Sequence, residues 1–94
     1  MQVWIMLRKK SKIVKDTLAE MDENLEFDAA VSGCLESVCR LWDIPRPMVL
    51  SRHASDFDQF GRALFMPDHF VESFPYDALE VEAVIERKQV DDYI

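Results

Sequence analysis

At 94 residues the chain is long enough for one domain and too short for two. Hydrophobic residues make up 49% of it and charged residues 31%, a mixture that excludes a disordered chain. The formal net charge of −7 sets an acidic body against phosphate backbones and argues against general nucleic-acid binding.

The charge is unevenly placed: Arg8, Lys9, Lys10, Lys12 and Lys15 all precede the first acid, Asp16. Val3 to Leu7 is a short apolar run rich in β-branched and aromatic residues, which predicts a strand. Lys9 to Lys12 is a polar break, and Ile13 to Met21 resumes as a second strand, so the two form a hairpin, and Asp22-Glu23-Asn24 ends the second strand. No charged lead-in followed by an apolar stretch and cleavage site is present, so no secretory signal is expected. The Val3–Leu7 run is far too short to span a bilayer, and no membrane association is expected.

The spacing predicts a helix from Ala29 to Trp42 with Asp28 as its N-cap. Val31, Cys34, Leu35, Val38, Leu41 and Trp42 recur at three- and four-residue steps and define its apolar face. Cys34 and Cys39 would point about 140° apart on that helix, which excludes a disulfide between them. Two reduced thiols favour a cytoplasmic location. Pro45 and Pro47 stop the helix, and Met48 to Leu50 reads as a brief third strand near an edge.

Residues 54 to 76 read as a long connection with two short helical pieces, Asp56 to Phe60 and Asp68 to Ser73. Between these pieces, Arg62 to Phe65 could form a short strand. Phe57, Phe60, Phe65, Phe70 and Phe74 would anchor the connection to the core. The last strand alternates Leu79, Val81, Ala83 and Ile85 with Glu80, Glu82 and Glu86, predicting a buried face and an acidic wet one. Residues 1–86 thus form a single domain, and 87–94 a frayed tail.

Strand, strand, helix, strand, weak strand, strand is an α+β order. It resembles the layout of ubiquitin-like (β-grasp) domains, with one helix on a four- or five-stranded mixed sheet. That resemblance implies a last strand lying parallel beside the first; a ferredoxin-like sandwich is the alternative. Arg87-Lys88-Gln89 stands where a modifier of that family has Gly-Gly, so conjugation is not implied. The segments Val3-Trp4-Ile5, Asp43-Ile44-Pro45-Arg46-Pro47, Phe57-Asp58-Gln59-Phe60-Gly61 and Phe70-Val71-Glu72, with Leu79 to Glu82, are similar to a set of short uncharacterised bacterial proteins. This implies a small bacterial domain in the cytosol and no particular activity.

If Val3, Ile5 and Leu7 face the helix, then Trp4 and Met6 face away from it. They form a partner surface unless residues 54–76 cover them. The leading functional expectation is therefore a non-enzymatic interaction domain, an adapter or a homodimer. It would bind through the Trp4/Met6 face, with Arg8, Lys9, Lys10 and Lys12 beside it, or through a strand edge. A divalent-metal site with a hydrolytic or regulatory role at His53, Asp56 and Asp58, with His69 near, is one alternative. Nucleic-acid contact through the basic hairpin is another. No nucleophile elbow, phosphate-binding glycine loop or Cys-x-x-Cys occurs, and no cofactor is expected.

Overall fold

The computed structural model describes residues 1–84. The expected tail at 87–94, with Ile85 and Glu86, lies outside the described residues. The elements in chain order are β1 (Gln2–Lys9), β2 (Lys12–Glu20), α1 (Phe27–Trp42), α2 (Ser51–Phe60), β3 (Arg62–Phe65), a 3-10 turn (Pro67–His69) and β4 (Ala78–Ala83). The strands form one sheet in the order β2-β1-β4-β3, and every neighbouring pair is antiparallel.

The α+β class is as expected, but the parallel placement of the last strand is not. β4 runs antiparallel to β1, with Ile5 opposite Val81 and Leu7 opposite Leu79. The strand expected at Met48–Leu50 is instead an extended lead-in to α2, held by the Met48 N–H donating to the His69 carbonyl at 2.7 Å. Pro45 and Pro47 lack the N–H groups a ladder needs. Arg62–Phe65 supplies the strand instead, and its turn into β4 reverses the chain once more.

The hairpin turn at Lys10-Ser11 has φ of 54° and 65°, left-handed at both central residues although neither is glycine. That geometry matches the twist of the flanking strands. Asp77 steadies it, its Oδ2 accepting the Lys10 N–H at 2.6 Å while its own N–H donates to the Arg8 carbonyl at 2.8 Å. Between Leu7 and Arg8 the register with β2 slips by one residue, a bulge that places Val14 as the extra residue.

α1 starts at Phe27, two residues earlier than expected, and Asp28 lies inside its first turn. It ends with Asp43 in the left-handed conformation, where the Ile44 N–H reaches the Cys39 carbonyl at 3.0 Å. Its buried row (Ala30, Val31, Cys34, Leu35, Val38, Cys39) packs into one core with Val3, Ile5, Leu7, Leu79 and Val81. Leu41, expected on that row, is exposed. α2 covers more sequence than expected, because the helix begins at Ser51 rather than after Ser55. Phe65, Phe70 and Phe74 are buried in the same core, and the Phe70 and Phe74 rings stack at 3.9 Å. Phe57 packs on Phe27, whereas Phe60 stays exposed. Residues 54–76 therefore pack on the helical side of the sheet. No helix among the described residues is long and apolar enough to cross a membrane.

Candidate interaction surface

The sheet face turned away from the helices carries Trp4, Met6 and Arg8 of β1, facing Glu82, Glu80 and Ala78 of β4. Met6 is fully buried, so it offers nothing to a partner. Trp4 is half-buried, and its indole N–H donates to Asp16 Oδ2 at 2.8 Å. The face is thus a charged lattice rather than an apolar patch. Glu80, expected on a wet face, is buried because β4 is an interior strand. Its Oε1 accepts the Arg8 Nε–H at 2.7 Å, and Arg62 Nη1 lies 4.0 Å from Oε2.

The basic hairpin is partly engaged within the fold. Arg8 is paired with Glu80, and the Lys9 ammonium lies 5.6 Å from the centre of the Tyr76 ring. Lys10, Lys12 and Lys15 are exposed.

His53 and His69, set sixteen residues apart, meet in the interior with Nε2 of one 3.3 Å from Nδ1 of the other. Each ring also folds back on its own chain. The Leu50 N–H donates to His53 Nδ1 and the Met66 N–H to His69 Nδ1, both at 2.9 Å. With both Nδ1 atoms accepting, the proton of each neutral ring sits on Nε2. His53 stacks on Phe65 at 4.1 Å and lies beside the Leu64 carbonyl. Burial pushes its pKa below the ordinary histidine value, and the neighbouring His69 and Arg52 act the same way. Asp56 is half-buried and Asp58 exposed; five residues from His53 on one helix, Asp58 points about 140° away. Among the described residues no three His, Cys, Asp or Glu side chains converge as metal ligands. The histidines join α2 to the turn before Phe70, a structural role.

The open region lies at the other edge of the sheet. β2 is an edge strand of nine residues, mostly exposed, including Ile13, Val14 and Leu18. The outward backbone groups follow from the β1–β2 ladder. Met1 and Met21 bond in both directions (Met21 N–H to the Met1 carbonyl at 2.7 Å; the Met1 ammonium to the Met21 carbonyl at 3.0 Å). Bonded pairs alternate along an antiparallel ladder, so residues 19, 17 and 15 also face β1. Asp16, Leu18 and Glu20 therefore point their N–H and C=O groups away from the sheet. Two of these outward carbonyls have side-chain partners: Glu20 accepts from the Cys34 thiol at 3.1 Å, and Leu18 accepts a long bond from the Thr17 hydroxyl at 3.4 Å.

Beside this edge runs a groove of about 410 Å³ between β2 and α1. Thr17, Ala19, Ala29, Gly33, Ser37 and Leu41 are among its walls. Gly33 widens it: a β-carbon there would meet nothing within 4 Å. Cys34 lines the floor, and burial raises its pKa, as burial raises Cys39 to about 11. Both thiols are free and neither is activated as a nucleophile. The sequence named a strand edge in general terms but not this groove. The signal available was Gly33, a glycine inside an amphipathic helix, together with Leu41 on a row that the structure exposes. No protein-family model, curated protein or solved structure matches this chain.

Proposed function

We propose that this chain is a non-enzymatic protein-interaction domain that takes up an extended segment of a partner along the free edge of β2. One observation carries the reading: an exposed edge strand whose outward backbone groups at Asp16 and Leu18 border an apolar groove against α1. Added strands gain affinity from main-chain hydrogen bonds and specificity from alternate side chains entering such a groove. The Trp4 face is a weaker candidate, since Met6 is closed off and Trp4 is tied to Asp16.

The test is selection of a random short-peptide library on the immobilised chain, in parallel with Gly33→Phe. The glycine sits in open space on a helix, so the phenyl ring fills the groove without displacing the core. Enriched peptides are expected to bind the native chain and to lose binding to Gly33→Phe. A selection that returns no enriched sequences, or sequences indifferent to the plug, overturns the proposal.

A further inference from the structure

The pattern of side chains along the free edge specifies what the added segment looks like. Asp16, Leu18 and Glu20 lie on the face away from α1, and Thr17 and Ala19 on the groove side. The assignment follows from their partners on β1: Met6, Trp4 and Gln2 for the first set, Ile5 and Val3 for the second. A strand laid beside β2 places one residue opposite each of these five, with the same alternation of faces.

We infer that the partner segment has the form basic–apolar–apolar–apolar–basic, in extended conformation, an inference that rests on the strand-addition reading above. The two outer residues lie opposite Asp16 and Glu20, where a cation meets a carboxylate on the exposed face. Asp16 gives one oxygen to the Trp4 indole and keeps the other, Oδ1, for a cation. Glu20 Oε2 is 3.1 Å from the N-terminal ammonium, which has a second carboxylate, Glu23, at 2.8 Å. Glu20 can therefore turn to a new cation without stranding the terminus. The middle residue lies on Leu18, 56% exposed and otherwise uncovered. The second and fourth residues enter the groove over Gly33 and Ser37, with Leu25 and Leu41 at its rim.

The same pattern disfavours a second copy of this chain. A two-fold antiparallel pairing centred on Asp16 or on Leu18 sets acid against acid, Asp16 on Asp16 or Asp16 on Glu20, which is destabilising, and one centred on Thr17 sets Asp16 against the apolar Leu18, which leaves the carboxylate without a cation. The net charge of −7 adds to that repulsion. The occupant is a heterologous segment carrying positive charge at both ends of an apolar triplet.

The probe is a blocked peptide containing Arg-Val-Leu-Val-Arg, titrated onto the isotopically labelled full chain and followed by amide resonances. Three controls accompany it: Glu in place of both arginines, N-methylation of every residue between the arginines, and the Gly33→Phe chain. The expected result is saturable shifts at Asp16, Leu18 and Glu20, with the Glu peptide weaker by on the order of tenfold or more. The N-methylated peptide and the Gly33→Phe chain should both show no saturable binding. If Arg and Glu peptides bind alike and both are lost in Gly33→Phe, the occupant's charge is wrong while strand addition stands. If the Arg peptide binds equally well when N-methylated, or shifts resonances elsewhere, a strand at this edge is excluded. If no peptide binds, the inferred segment is wrong, and the library selection decides separately whether the edge binds anything.

Discussion

The two edges of the sheet are finished in opposite ways. At β3 the edge is four residues long and α2 packs along it, with His53 set beside the outward Leu64 carbonyl and stacked on Phe65. At β2 the edge is nine residues long, and α1 stands back far enough to leave a groove. Unpaired strand edges are hazards that folded proteins normally cover. This chain covers one with a helix and a buried histidine pair and leaves the other open, protected only by charges and a bulge. The covered edge buries Phe65 and His53; the open one leaves Leu18 exposed beside a groove.

Substitution at matched positions gives the widest separation between them. Phe65→Ala removes a fully buried ring at the covered edge and should cost about 3–5 kcal/mol of unfolding free energy, read by urea titration. Leu18→Ala at the open edge should cost about 0.5 kcal/mol or less. Comparable losses at the two sites would show that the β2 edge is not free.

Acid should act through the covered edge alone. His53 has its pKa lowered when folded by burial, by His69 and by Arg52, against the opposing pull of the Leu64 carbonyl and of Asp56. Below about pH 6.5 the unfolded chain takes up a proton at this residue that the folded chain refuses. Stability is therefore full above that value and falls as the pH drops through it. His53→Gln, whose side-chain oxygen can still accept the Leu50 N–H, should flatten this slope in pH-dependent unfolding, whereas Leu18→Ala should leave it intact. An unchanged slope in His53→Gln would place the acid sensitivity elsewhere.

The smallest effect tests the groove itself. Gly33→Ala adds a methyl group in open space within a helix and should stabilise the chain by about 1 kcal/mol in thermal unfolding. A loss of stability would mean that the groove is filled.

The sequence was most legible where periodicity spoke. Alternation in Val3, Ile5 and Leu7 and in Leu79 and Val81 placed the two central strands on one core face, and the three- and four-residue steps in α1 located the helix. The direction of β4 was not legible, because alternation is the same for a strand running either way; only the extra reversal at Arg62–Phe65 decides it. The burial of Glu80 was hidden for a related reason. An acid among apolar residues reads as solvent-facing until Arg8, seventy-two residues away, comes to stand over it. Of the cluster read around His53, the fold brings His69 to it across sixteen residues, while Asp58, five residues along the same helix, points away.

The bulge opposite Leu7 and Arg8 makes the open edge a ruler. Beyond it, toward the hairpin tip, the backbone is rotated out of line with Asp16 and Leu18, and at the far end the Cys34 thiol already occupies the Glu20 carbonyl. An incoming chain can register only about 17 Å of ladder before it meets one stop or the other. Lengthening it past five residues adds no further main-chain bonds. Contacts this small belong to brief encounters rather than permanent assemblies, so a segment bound as proposed should dissociate quickly.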